Sequence, residues 1–325
     1  MTDTAAQLPP VGNGSHPPRS GVRRAGGTSW RARTREGRFA LALLAPSIIV
    51  VFGIVVYPIL RTLYTSLFAV NTPFSGHFPW VGLDNYKYAL QQSDFWSAIE
   101  RTAYFTAVST GFELVFGIGI ALLLNAPLRA RWLFRTIVVL PWALPTIVNG
   151  AMWRYFFNAQ YGVVNAALTQ LGITTSYHAF LSSPFAALNI VVWADVWKNT
   201  SLVAFFLLAG LTTIPRDLYE AARVDGYGRW GSFVHITLPL LRPVIVVVLV
   251  LRTIEAFKVF DIIYVMTGGG PANGTQSIAY YTYQRAFSDE FFGYGSALAY
   301  LIVVFIMVLA IVYIRLLRSD NYAMA

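Results

Sequence analysis

Six apolar runs divide the chain, covering residues 39–60, 102–124, 136–157, 185–211, 240–265 and 291–314. About 20 apolar residues in a helix cross the hydrocarbon core of a bilayer. A helix also satisfies its own backbone there, so the pattern predicts six spanning helices. A secretory leader would have a shorter apolar core and a small-residue cleavage site. Here Tyr57-Pro58 and Arg61 follow the first run instead. Pro141 and Pro145 in the first turns of the third run predict a kink. Polar segments separate the runs. Residues up to about 100 form an aromatic, polar stretch, and residues 158–184 hold no Lys or Arg, with Gly162, Asn165 and Gly172 marking a loop or short interfacial helix. Met266-Thr267-Gly268-Gly269-Gly270-Pro271 reads as a turn. Residues 1–38, rich in Pro, Gly, Ser and Arg without an apolar period, read as a disordered basic tail, and residues 319–325 as a short C-terminal tail.

Composition agrees with a membrane chain. Hydrophobic residues make up 56% and charged residues only 12%, against about a quarter charged in soluble domains. Mean hydropathy is +0.55. There is no cysteine, which removes disulfides, thiolate metal sites and a Cys nucleophile. The net charge of +9 would suit nucleic acid only as a basic patch on a soluble fold, whereas these cations sit in short segments between apolar runs. Sixteen Lys and Arg residues fall in the N-terminal tail, the 2–3 loop, the stretch through Arg242 and the C-terminal end, against four on the other side. The positive-inside rule then places both termini in the cytoplasm, which six spans satisfy and an odd number would not.

Candidate chemistry is sparse. The three lysines, Lys87, Lys198 and Lys258, follow Tyr, Trp and Phe, so no P-loop is present. His16, His77, His178 and His235 are too scattered for a zinc site. No catalytic or metal-ligating set emerges. The fifth run carries Arg252, Glu255, Lys258 and Asp261 with alternating sign at i, i+3 spacing, where each can pair with the next. In lipid such groups belong in the bundle interior or against water. They read either as a neutral packing ladder or as a wall of a solute path. The fourth run holds Trp193, Asp195, Trp197, Lys198, Asn199 and Thr200. These read either as an interfacial Trp belt with an Asp195–Lys198 pair, or as aromatic faces and amides suited to sugar rings and hydroxyls. The third run adds Asn149 and Trp153, and the second has one carboxylate, Glu113.

The stretch Tyr219-Glu220-Ala221-Ala222-Arg223-Val224-Asp225-Gly226-Tyr227, continued by Ile236-Thr237-Leu238-Pro239, is a polar island between apolar runs. A helix starting near Pro215, small residues on one face and a breaking Gly226 suit close approach by another protein, with a second short helix starting near Tyr227–Trp230. This spacing resembles the EAA coupling loop of binding-protein-dependent ABC importer permeases. The family often has Ala where this chain has Tyr227. Trp80-Val81-Gly82-Leu83-Asp84-Asn85-Tyr86 and the string from Phe257 to Pro271 resemble the carbohydrate (maltose, glycerol-phosphate and trehalose-like) subgroup.

The resemblance covers residues 39–318 and implies an all-α membrane protein with six transmembrane helices of the type I ABC importer permease fold. Cytoplasmic coupling helices would lie between helices 4 and 5, within residues 212–239. It implies alternating-access import of a sugar or sugar-like solute across the cytoplasmic membrane of a prokaryote. Partners would be a second homologous permease, an ATPase dimer that holds ATP and Mg, an extracytoplasmic substrate-binding protein and membrane lipid, with no cofactor in this chain. Leu218, Ala221, Ala222 and Gly226 would pack in an ATPase groove, and Glu220 and Asp225 would make polar contacts or cap the turn. The rivals are an ion-coupled secondary carrier, disfavoured because the two halves do not match, and a membrane enzyme using Glu255 and Asp261. The second fails on geometry, since six residues put those carboxylates on different sides of a helix.

Overall fold

The structure is a computed structural model that describes residues 43–71, 76, 78–127 and 129–321. The basic tail expected at 1–38, the start of the first apolar run and residues 322–325 lie outside the described residues. The chain divides into two compact units, Met1–Pro58 and Ile59–Ala325. In the first unit the described residues belong to helix α1 (Leu43–Ser66), which contains a π-helical stretch, Val51–Val56. Residues 43–65 of this helix are not buried, whereas Ser66 is.

The second unit is helical, with α2 (Asp84–Gln91), α3 (Ser93–Asn125), α4 (Arg131–Ala143), α5 (Thr146–Phe156), α6 (Val163–Gln170) and α7 (Pro184–Thr212) in order. Then follow α8 (Arg216–Val224), α9 (Arg229–Phe257), α10 (Asp261–Met266), α11 (Ile278–Tyr283) and α12 (Phe292–Asn321). The long axis of the core is the packing of α3 along α7, with α9 laid on both. Two glycines permit the approach. A Cβ at Gly117 of α3 would lie 2.5 Å from Val203 of α7, and one at Gly210 of α7 would lie 2.8 Å from Leu241 and Val244 of α9. Around these contacts Leu124, Leu207, Leu211 and Leu241 form one buried cluster. A second cluster, with Phe95, Tyr281 and Leu298, packs α11 and α12 against the start of α3.

Among the described residues, five helices are long and apolar enough to cross a membrane, or six if α4 and α5 count as one span. That pair is the expected third span, and its kink is a break of 91°. The cause is local. Leu144 precedes a proline and takes an extended conformation (ψ 135°), Pro145 lacks an N–H, and the helix restarts when Asn149 N–H bonds the Pro145 carbonyl at 3.0 Å.

Other boundaries differ from the apolar runs. The second span begins at Ser93, not 102, because its first turns bury Phe95 and Ala98 while leaving Asp94 and Glu100 exposed. The fifth is not one helix over 240–265. It begins at Arg229, passes Pro239 through a π-helical turn at Phe233–Thr237, and stops at Phe257 before α10. A π turn absorbs the carbonyl that a proline leaves unpaired.

Close packing at Gly117 predicts a contrast within α3. Gly117→Leu should lower stability by about 1–3 kcal/mol through overpacking. Gly119→Leu, which meets nothing within 4 Å, should stay within about 0.5 kcal/mol. Thermal unfolding of the two variants in detergent measures the difference.

Candidate functional site

The fifth span brings Arg252 into the apolar interior, where it is 4% exposed. Its Nε donates to Glu113 Oε2 at 2.6 Å and its Nη2 to Glu113 Oε1 at 2.9 Å, a bidentate pair between α9 and α3. Nη2 also reaches Asp195 Oδ2 of α7 at 3.3 Å, and Nη1 reaches Glu255 Oε2 at 2.7 Å. Asp195 Oδ1 accepts from Asn199 Nδ2 at 2.8 Å. Glu113 is wholly buried. One guanidinium therefore holds carboxylates from three helices, and the fork geometry of Arg fills most of its donors.

The opposite flank of α7 is aromatic. Trp193 and Trp197, one turn apart, line a cavity of about 570 Å³ with Trp153 of α5, Phe116 and Ile120 of α3, and Val138 and Pro141 of α4. Trp153 stacks on Phe157 at 5.8 Å and meets Trp197 at 6.3 Å, and Trp193 lies 4.8 Å from Phe112. Lys198 Nζ, between the two flanks, donates to Thr146 Oγ1 at 2.8 Å and so ties α7 to the restart of the broken span.

These positions sort the residues singled out from sequence. Trp153, Trp193 and Trp197 come together around one cavity. Asn149 is wholly buried and donates to the Ala194 carbonyl at 3.1 Å, which joins α5 to α7. Asp195 and Asn199 are likewise buried, their polar atoms engaged in the Arg252 network. Of the charge ladder only the Arg252–Glu255 step forms. The helix ends at Phe257, so Lys258 and Asp261 leave the i, i+3 register and stand exposed. Asp195 and Lys198 do not pair either, because Lys198 is drawn to Thr146. Glu113 and Arg252, the centre of the network, were read apart, Glu113 as the one carboxylate of the second run and Arg252 as a rung of the fifth-run ladder, because the signal that joins them runs across helices, not along one.

The polar island between the fourth and fifth runs folds as α8, entered from Pro215. It closes with Tyr227 N–H bonding the Ala222 carbonyl at 2.8 Å and Gly226 N–H bonding Arg223 at 3.2 Å. This is the Schellman pairing, with Gly226 at φ +84°. Ala222 is buried, and Tyr219 Oη and Thr237 Oγ1 share a hydrogen bond at 3.0 Å. That face seats the helix on its own chain, with Ala222 buried in the contact. Leu218, Glu220, Ala221, Val224 and Asp225 stay exposed.

The described residues thus form a helical bundle with an exposed helix, α8, between two long apolar helices. Residues 113–319 match the family described as binding-protein-dependent transport system inner membrane component, and the chain belongs to that family. It is 41% identical over 282 residues to the sulfoquinovosyl glycerol transport system permease protein SmoG of Agrobacterium fabrum, covering 87% of this chain and 91% of the relative. It is 40% identical over 288 residues to the trehalose/maltose transport system permease protein MalF of Thermococcus litoralis, covering 89% and 96%. Among solved structures, a chain of a bacterial ABC transporter involved in the import of the acidic polysaccharide alginate superposes with TM-score 0.77 at 26% identity, covering 89% of this chain and 98% of that one. The chain is thus a permease subunit of an ABC importer, and the secondary-carrier reading is not favoured.

Removing one partner of a buried ion pair leaves the other charge uncompensated. Arg252→Met should cost about 3–5 kcal/mol. Glu255→Gln should cost under about 1 kcal/mol, because the Glu255 side chain is 56% exposed. Comparison of the folded, monodisperse yields and unfolding temperatures of the two variants tests this ranking.

Proposed function

We propose that this subunit imports a sugar or sugar-like solute by alternating access, driven by ATP hydrolysis on a separate ATPase dimer. A second homologous permease would complete the membrane path, an external binding protein would deliver the solute, and both termini would face the cytoplasm. The observation that carries the reading is the outward face of α8. Leu218, Ala221 and Val224 are exposed, small or apolar, beside the left-handed turn at Gly226. Such a face on a charged, surface helix suits a groove on another protein, and Glu220 and Asp225 flank it as polar contacts. The ATPase would pull on α8, and the helices joined to it would move as a body.

The solute class rests on two supports. Relatives are named for sulfoquinovosyl glycerol and for trehalose/maltose transport. The cavity edged by Trp153, Trp193 and Trp197 offers ring faces of the kind that stack on sugars. Glu255, Lys258 and Asp261, all exposed, would face the water-filled path and not lipid.

Glu220→Ala and Gly226→Val should each abolish solute-stimulated uptake by more than about tenfold while the subunit still inserts. A β-branched residue resists the positive φ at 226. The measurement is labelled-sugar uptake alongside ATPase activity in proteoliposomes. Normal uptake with Gly226→Val would overturn this account of the turn. Trp197→Ala should instead reduce uptake with the ATPase coupling intact.

A further inference from the structure

A second cavity, of about 840 Å³, opens where the end of α3 meets α8 and the beginning of α9. Its walls are the side chains of Leu122, Tyr219, Trp230 and Phe233, and two guanidinium groups, Arg223 and Arg229, stand at it. Among the described residues no carboxylate lines it. Arg223 spends its Nε on the Tyr219 carbonyl at 3.3 Å, and neither arginine has a carboxylate partner among the described residues. Trp230 is 75% exposed, its ring 5.4 Å from Phe233.

The place matters as much as the lining. The cavity sits at the ends of two spans, α3 closing at Asn125 and α9 opening at Arg229, which is the level of a bilayer surface. An exposed Trp at that level is an interfacial anchor, and paired cations beside apolar walls at a span end suit an anionic headgroup with its acyl chains alongside. The cavity also lies on the Tyr219–Arg223 flank of α8. Glu220, Ala221 and Val224 point elsewhere, so an occupant here leaves the outward face of α8 free.

We propose that this cavity is a binding site for an anionic phospholipid, its phosphate held by Arg223 and Arg229 and its acyl chains against Trp230 and Phe233. The lipid would then be a wedge between the coupling helix and the start of α9. The proposal rests on the reading that this end of the spans is the cytoplasmic membrane surface, but not on the identity of the solute or of the ATPase.

The test uses the whole importer complex, purified with its co-expressed partners and reconstituted in phosphatidylcholine vesicles containing a fixed fraction of either brominated phosphatidylglycerol or brominated phosphatidylcholine. Bromine quenches nearby indole fluorescence, and the difference between the native complex and Trp230→Phe isolates Trp230. Phosphatidylglycerol should quench Trp230 at much lower mole fraction than phosphatidylcholine. Each cation near an anionic headgroup gives a preference of about fivefold. Arg223→Gln with Arg229→Gln should therefore erase a preference of roughly 30-fold while leaving quenching of the other tryptophans unchanged. Equal quenching by the two lipids, or a preference that survives the double substitution, would overturn the proposal. So would loss of the preference on adding inorganic phosphate to the level of the lipid, which would mark a free-anion site. Failure of the ATPase to co-purify would count against the importer reading alone, since the quenching is read from this chain either way.

Discussion

The interaction on which the bundle depends is the bidentate pair between Arg252 and Glu113. A charge inside a spanning bundle is costly unless it is met by its opposite. These two are among the most buried ionisable groups of the described residues. Each can be accommodated only where the other is, so the pair sets how α9 lies on α3. Asp195 brings α7 to the same guanidinium at 3.3 Å. The close contacts at Gly117 and Gly210 are compatible with that arrangement because neither has a side chain to hold the helices apart. Replacing either with a larger residue would act on the same three-helix unit.

That unit connects the surface helix to the membrane interior. Helix α8 is seated by buried Ile214 and Ala222 and by the Tyr219–Thr237 hydrogen bond. Thr237 lies in the π turn of α9, and the same helix carries Arg252 and Glu255 further along. A displacement of α8 therefore acts on a helix whose far half is clamped to α3 and α7. The aromatic cavity is built on the other flank of α7, so a body containing α3, α7 and α9 carries one wall of it. The Lys198–Thr146 and Asn149–Ala194 hydrogen bonds tie α5 to α7, so α5 travels with that body, and the break before it leaves α4 as the wall that can follow a different course.

Much of this was legible from residue pattern. Apolar runs located the spans because lipid-facing and core-facing sides of such helices are both apolar. Pro145 announced the break and Gly226 the end of α8, because each has a backbone restriction that acts locally. What escaped was non-local. The extension of α3 back to Ser93 is amphipathic, and hydropathy alone does not see a helix that hides Phe95 and shows Asp94. The ladder expected along the fifth span assumed that charges pair with their neighbours in sequence. The stronger partner of Arg252 was instead Glu113, 139 residues away, because a buried guanidinium needs carboxylates that are equally removed from water. The same reasoning accounts for Asp195 and Asn199, read from sequence as solute-path candidates, sitting buried beside that guanidinium.

The central claim is that α3, α7 and α9 form one body through the Arg252 network. The chain has no cysteine of its own, so spin labels can be placed at will. The most direct measurement is the distance between labels at Leu122 on α3 and Val247 on α9, both exposed, by pulsed electron–electron resonance in the reconstituted importer with and without ATP and vanadate. The account predicts one unchanged distance across the cycle, while a label at Val224 of α8 moves relative to the partner subunits. A shift of several ångströms between Leu122 and Val247 would contradict it, since the clamp would then open during transport.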